Sequence, residues 1–424
     1  MTGKKSEMTV LVVGGGGREH AVVSAFRKSA RVKKLYCAPG NAGIAALAEC
    51  VPIGATELDG LTAFAQKSAA DLVFVTPDDP LSLGLVDRLN AAGIRAFGPK
   101  AAGARLESSK SFAKAFMKKY DIPTAGYEVF DDYEAARAYV ERADRRLVIK
   151  ADGLALGKGV CIPKDRAEAL KNLRAVMVDG AFGHSGSRVV IEEFLTGREV
   201  TVLAFTDGKT VTPMPSSQDH KRAYDGDLGP NTGGMGAFSP SPYFTKDKED
   251  EFNRTIAQRT LAGLCAEGID YRGVLYFGLM LTGDGIKVIE YNARLGDPET
   301  QAVFPLLKTD LADICDACID GTLAALPIGF SDQKSLTVVV AGSDYPAKSS
   351  RGAHIEIGDI GSDCTLFHAG TAFDENKRLV TNGGRIFALT ALGGTMEEAR
   401  QRVYRNIGEI RFDGARFRKD IGLT

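Results

Sequence analysis

The stretch "TVLVVGGGGREHAVVSAF", Thr9 to Phe26, decides the fold class. An apolar run, Val10 to Val13, leads into four consecutive glycines, and the chain resumes with apolar residues at helical spacing. A buried strand, a glycine turn and an amphipathic helix open a parallel α/β layer. The pattern continues outward: "KKLYCAPGNAG", "DLVFVTPDDPL" and "IRAFGP" read as further strands between helical stretches. Ligands on such sheets bind beyond the carboxyl ends of the strands, where these glycine- and proline-rich turns lie. The dinucleotide-binding alternative fails its own spacing test. Counted from Gly14, the third glycine of G-x-G-x-x-G falls on Glu19, and "APGNAG" stands where the second strand should end in an acid. Backbone N–H groups at a helix N-terminus still suit a phosphate, so the turn is either an anion cradle or simply a tight corner.

The chain has 424 residues, which at roughly one domain per 150 residues predicts about three domains. Its 53 basic and 54 acidic side chains give no overall field for nucleic acid, so an anionic ligand must be held locally. The opening "MTGKKSEMTV" lacks the apolar core of a signal peptide, and no apolar run reaches the roughly 20 residues that span a bilayer. A cytoplasmic location is expected. Seven scattered cysteines suit reduced thiols. Cys315 and Cys318 fall on one helical face with Leu311, which reads as helix packing, with redox or metal chemistry as the alternative.

Near residue 106 the texture changes. "LESSKSFAKAFMKKYDIPTAGYEVF" reads as a helix stopped before Pro123 and then a strand. "RLVIKADGLALGKGVCI" reads as two strands joined by a flexible loop holding Gly153, Gly157 and Gly159, with Lys150 at the end of the first strand. Such a loop can fold over a triphosphate, with backbone N–H groups and a lysine as counter-charge, although it lacks Walker spacing. "SRVVIEEFLTGREVTVLAF" gives two strands around a turn at Thr196 and Gly197. "YRGVLYFGLMLTGDGIKVIEYNARLGDPETQ" reads as a central hairpin turning at Gly283 to Gly285. Alternation along its second strand points Glu290 and Asn292 the same way, with Arg294 just beyond. Two oxygen ligands on one side suit magnesium, which takes its remaining ligands from water and phosphate. The remaining third, with "SLTVVVAG", "CTLFHAGTAF" and "GRIFALTALG", a turn at Asn382-Gly383 and a helix near 395–410, reads as a small α+β domain that closes one side of the site.

The least ordinary segment is "DHKRAYDGDLGPNTGGMGAF", Asp219 to Phe238. Most connections are about 4 to 6 residues, so a long charged and glycine-rich loop predicts binding.

These stretches together resemble the ATP-grasp ligases, and within them the phosphoribosylamine–glycine ligase family, the glycinamide ribonucleotide synthetases of purine biosynthesis. The resemblance runs from "GGREHA" and "PGNAG" through "IKADGLALGKGV" to "HKR...GPNTGGMGA", "EYNARLGDPETQ", "HAGT" and "NGGR", nearly the whole chain. It implies an N-terminal α/β substrate-binding domain at 1–105, an ATP-grasp domain at 106–330 with a lid at about 124–190, and a C-terminal α+β domain at 331–424. It implies that ATP, glycine and 5-phosphoribosylamine give ADP, phosphate and glycinamide ribonucleotide through glycyl phosphate, with magnesium or manganese as the metal. Small-molecule substrates, no nucleic acid, no membrane and a monomer are expected, with a dimer as the alternative.

Carried over by position, Lys110, Lys150, Gly153, Gly157, Gly159, Glu192, Leu195 and Glu199 would bind ATP, with Glu192 and Leu195 at the adenine hinge and Glu199 on the ribose. Glu290 and Asn292 would hold the metal, and Arg294 would be catalytic. Gly17 and Arg18 of the glycine loop, with Asn41 and Gly43, would receive the ribosylamine phosphate and sugar, and Asp219, Lys221, Arg222 and Asp297 would complete the substrate site. Three departures stand out. Thr76 and Asp78 occupy places where the family more often has glycine and glutamate, Leu295 stands where phenylalanine is usual, and "LYFGLML" offers no metal carboxylate on the strand before the last. The rivals are another ATP-grasp carboxylate–amine ligase of purine synthesis, a dinucleotide-dependent oxidoreductase, and a nucleotide sensor without chemistry.

Overall fold

A computed structural model of the chain describes residues 7–154, 159–181 and 183–423, the side chain of His184 excepted. The opening stretch folds as its pattern dictates: strand Met8–Gly14, a turn, then helix Gly17–Arg27. Glu19 accepts a hydrogen bond from the Gly16 N–H at 2.5 Å, the acidic half of a capping box. Strands run in the order Glu49–Cys50, Val32–Pro39, Met8–Gly14, Leu72–Val75 and Ala96–Phe97, all parallel. The sheet is sandwiched by its helices, and Val10 to Val13 are fully buried.

The segment near residue 106 forms two helices, Ala101–Ser108 and Lys110–Lys119, rather than one. Ser109 breaks them because its side chain caps the second helix, accepting from the Phe112 N–H at 3.2 Å. Beyond it, Tyr127–Phe130, Val189–Glu193, Leu147–Ala151 and Val160–Cys161 form a four-stranded antiparallel sheet covered by helices Tyr133–Arg142 and Arg166–Met177.

The two strands expected around Thr196 do form, but they do not pair. Val189–Glu193 stays in this small sheet, whereas Arg198–Thr206 joins the next one, with Val211–Pro213, Gly273–Thr282 and Gly285–Asn292. Alternation alone cannot say which sheet completes a strand. The expected hairpin is the edge of this second sheet, with Gly278 opposite Glu290 and Tyr276 opposite Asn292.

The long glycine-rich segment is ordered. It carries a short hairpin, Arg222–Tyr224 with Leu228–Asn231, between strands Gln218–Asp219 and Gly236–Ser239. Those two outer strands join the C-terminal sheet, in the order Gln218–Asp219, Gly236–Ser239, Lys334–Ala341, Arg385–Gly393 and Cys364–His368. The central and C-terminal parts are thus laced together. Asn382 and Gly383 are not a turn: they end strand Leu379–Gly383, and the chain passes to the other sheet at Gly384. Cys315 and Cys318 are fully buried on helix Leu311–Asp320, in the packing arrangement. Among the described residues no helix is long and apolar enough to cross a membrane.

The first helix meets the C-terminal domain through histidines. His20 Nδ1 accepts from the His368 N–H at 2.8 Å, and His20 is 6% exposed. Burial, then the neighbouring His368, pushes His20 down to about 3, while burial pushes His368 down to about 4. Both rings therefore stay neutral in the folded chain at pH 7. Unfolded histidines titrate near pH 6.5, so below that pH the unfolded chain takes up protons that the folded chain refuses, and stability falls by up to about 1.4 kcal/mol per pH unit for each ring. The melting temperature is expected to drop between pH 6.5 and 4, less steeply in His20→Gln. Parallel curves for the two proteins would exclude this seam as the acid-labile element.

Candidate active site

Four loops that are remote in sequence meet in one cleft. Gly40 N–H donates to the Gly14 carbonyl at 3.1 Å, and a Cβ on Gly15 would lie 2.5 Å from the Gly40 carbonyl oxygen, so the first two glycine turns touch backbone to backbone. Asn41 fixes them. Its Nδ2 donates to the carbonyls of Gly15 and His368, each at 2.9 Å, and its Oδ1 accepts from the N–H groups of Gly43 and Ile44. Asn41 lines the cleft while its amide is committed to holding the cleft's shape. Gly43 allows close approach, because a Cβ there would meet the His368 ring at 2.3 Å.

The cleft has a volume of about 520 Å³ and is lined from three directions: Gly15, Gly16 and Asn41; Asn231, Thr232, Gly233 and Asp297; and, from the C-terminal part, Tyr345, Lys348, Thr371, Asn382 and Arg385. Arg385 knits these together. Its Nη1 donates to the carbonyls of Gly233 at 2.6 Å and Asp297 at 2.8 Å, and its Nη2 lies 3.3 Å from Asp297 Oδ2. Despite burial, Arg385 and Arg18 keep the Asp297 carboxyl below the usual carboxylate range. Tyr345 Oη accepts from the Gly233 N–H at 2.8 Å.

Arg18 does not line this cleft. Its Nε donates to Glu19 at 2.7 Å and its Nη1 to the Leu295 carbonyl at 2.9 Å, so it buttresses the loop after Arg294. Gly17 is buried against Gln301, and Arg222 closes its own hairpin by donating to the Gly229 carbonyl at 2.8 Å. Of the departures, Thr76 is buried and its hydroxyl donates to the Val13 carbonyl beneath the first glycine turn, and Leu295 is buried in the core.

A second, narrow cavity gathers Glu199, Asp219, Lys221, Tyr276 and Glu290. Lys221 Nζ lies 3.0 Å from Glu199 Oε2, and both side chains are partly exposed. Asp219 Oδ1 is buried with no hydrogen-bond partner among the described residues, and burial followed by repulsion from Glu299 raises its carboxyl well above the usual range. Opposing charges win for Glu290: burial raises it, but Lys221, Lys150, Lys110 and Arg294 together hold it below its usual value. Among the described residues no hydrogen bond or ion pair occupies the Glu290 carboxylate. Arg294 is anchored by Glu107 at 2.7 Å and donates to Asn292 Oδ1 and the Leu295 carbonyl, each at 3.2 Å, while its buried Nε has no hydrogen-bond partner among the described residues.

Toward the small sheet, Glu192 sits between Lys114 at 2.9 Å and Lys150 at 2.8 Å, all three almost fully buried. The Lys150 contact is an ion pair whose alignment falls short of a hydrogen bond; Lys150 Nζ instead donates to the Ile289 carbonyl at 3.0 Å, tying the small sheet to the strand of Glu290. Burial outweighs the attraction of Glu192 and lowers Lys114 to about 8. Lys110 Nζ donates to the Gly153 carbonyl at 3.3 Å, Leu195 is half-buried, and Gly159 follows the loop, whereas Gly157 lies outside the described residues.

Residues 8–107, 108–300 and 335–424 match, in order, the N domain, the ATP-grasp (A) domain and the C domain of phosphoribosylglycinamide synthetase. The chain belongs to that family. It is 46% identical over 414 residues to the phosphoribosylamine–glycine ligase of Caldanaerobacter subterraneus subsp. tengcongensis, covering 98% of this chain and 99% of that one. It is also 46% identical to the ligase of the same name from Halalkalibacterium halodurans, over 98% of this chain and 96% of that one. The solved structure of the phosphoribosylamine–glycine ligase of Thermotoga maritima superposes with a TM-score of 0.83 at 35% identity, covering 97% of this chain and 100% of that one. The ATP-grasp architecture expected from the motifs is the one found. For a phosphoribosylglycinamide synthetase, the C-terminal lining residues Tyr345, Lys348 and Arg385 are the ones sequence reasoning missed. The "NGGR" motif flagged Arg385 but gave no reason for its position.

Proposed function

We propose that this phosphoribosylglycinamide synthetase ligates glycine to 5-phosphoribosylamine with cleavage of ATP to ADP and phosphate. The observation that carries the reading is the continuity of the site: the strand bearing Glu290 ends at Asn292, and the chain leaving it passes through Arg294 to Asp297, which lines the three-sided cleft. One end suits phosphoryl transfer and the other suits a polar sugar.

A carboxylate is a poor electrophile, and converting it to an acyl phosphate replaces one hard step by two easier ones. A glycine carboxylate oxygen attacks the γ-phosphorus of ATP, the bond to the bridging oxygen breaks and ADP leaves. The ribosylamine nitrogen then attacks the acyl carbon, loses a proton, and phosphate departs with that carboxylate oxygen. Arg294, held by Glu107 and Asn292, presents charge to the transferring group. Lys110 and Lys150 lie toward the phosphates, and Glu192, Leu195 and Glu199 lie along the nucleotide. Asp219, with its unpartnered buried oxygen, accepts from the glycine ammonium, and Lys221 supplies positive charge beside Glu199 and Glu290.

The donors fit a magnesium or manganese ion: the open, charged Glu290 carboxylate is a hard ligand, and the Asn292 amide oxygen, which accepts from Arg294 at 3.2 Å, has a second lone pair to offer. Such an ion, when bound, neutralises phosphate charge. Small molecules are the partners of this site. The reading is tested by ADP release from the purified protein with ATP and magnesium, adding glycine and freshly generated phosphoribosylamine singly and together. Release that needs both supports it, and release that follows another carboxylate removes glycine as substrate.

A further inference from the structure

The three-sided cleft raises a question of charge. Its volume, about 520 Å³, suits a sugar phosphate, yet its lining holds one acid, Asp297, and two bases, Arg385 and Lys348. Arg385 is spent on Asp297 and on the carbonyls of Gly233 and Asp297. The glycine turn is also partly committed, since the Gly16 N–H is held by Glu19, and a Cβ on Gly16 would lie 3.6 Å from Asp297 Oδ2. That turn therefore abuts an acidic group. Lys348 differs. It is exposed at the cleft wall and its ammonium makes no ion pair or hydrogen bond among the described residues.

Lys348 stands on the C-terminal wall of the cleft, which Ser349 and Thr371 also line.

We propose that Lys348, on the C-terminal domain, is the cation that binds the 5-phosphate of the ribosylamine and so selects phosphorylated over plain sugar amines. This rests on the functional reading above. An ammonium beside a phosphate dianion makes a charge-assisted contact, and losing it weakens binding by about 10-fold or more. In Lys348→Ala the KM for phosphoribosylamine is expected to rise about 10-fold or more, with kcat at saturation and the KM values for ATP and glycine within about 2-fold of wild type. Lys348→Arg should recover most of the loss. Ribose 5-phosphate should compete with phosphoribosylamine in the wild type and weakly in Lys348→Ala, while ribose competes equally in both. An unchanged KM for phosphoribosylamine in Lys348→Ala, with wild type making product, overturns the inference. Calorimetric titration with ribose 5-phosphate separates this from the functional reading. If wild type makes no glycinamide product but binds ribose 5-phosphate through Lys348, the functional reading falls and the anion site stands. If binding ignores Lys348, the site falls.

Discussion

Replacing Glu290 by glutamine is expected to lower kcat for ligation about 10²- to 10³-fold, the usual cost of removing one group that stabilises charge in the transition state. The substitution keeps size and hydrogen-bonding capacity but removes the charge that four surrounding cations hold in place. Because no hydrogen bond or ion pair within the described chain depends on that carboxylate, the melting temperature should stay within a few degrees of wild type. Steady-state kinetics across magnesium concentrations check the outcome. A variant with wild-type kcat would remove Glu290 from the phosphoryl-transfer end of the site.

The second large effect is on stability. Glu192→Ala leaves the buried ammonium groups of Lys114 and Lys150 facing each other without the carboxylate between them. Breaking a buried pair by removing one partner costs about 3–5 kcal/mol, which at a few degrees per kcal/mol lowers the first thermal transition by about 10 °C. The chain has one way to relieve this. Lys114 already sits at about 8, and without Glu192 it gives up its proton more easily still. With the folded pKa depressed and the unfolded value near 10.4, the unfolded state binds more protons across that window, so stability rises with pH there. The variant should therefore regain stability between pH 7 and 9 relative to wild type, measured by calorimetry. A melting temperature within about 2 °C of wild type at pH 7 would mean the three groups are not coupled as their distances indicate. ATP affinity should fall with stability, because Lys150 also anchors the small sheet to the Ile289 carbonyl.

What could be read from the chain depended on how local the cause was. The opening strand, turn and helix were legible because periodicity, glycines and the capping glutamate all lie within Thr9 to Phe26. The same held for the hairpin that presents Glu290 and Asn292, since alternation fixes both its faces. Strand partnership was not local. Val189–Glu193 and Arg198–Thr206 look like one hairpin in sequence, yet separate cores claim them. Nor could spacing say that Arg18 would turn to Glu19 and the Leu295 carbonyl rather than to the cleft, or that Asn41 would spend its amide on shape. The C-terminal contribution was the least visible. Arg385 is remote in sequence from Gly233 and Asp297, and only the lacing of Gln218–Asp219 and Gly236–Ser239 into the C-terminal sheet brings them together.

The central claim is that glycine is activated as an acyl phosphate at this site, and the fate of the glycine oxygens tests it most directly. Glycine carrying heavy oxygen at both carboxylate positions would be incubated with ATP, magnesium, phosphoribosylamine and the protein, and the products analysed by mass spectrometry. The account predicts one heavy oxygen in the released phosphate and one in the amide of the product. Heavy oxygen in AMP, or phosphate without any label while amide forms, would contradict it.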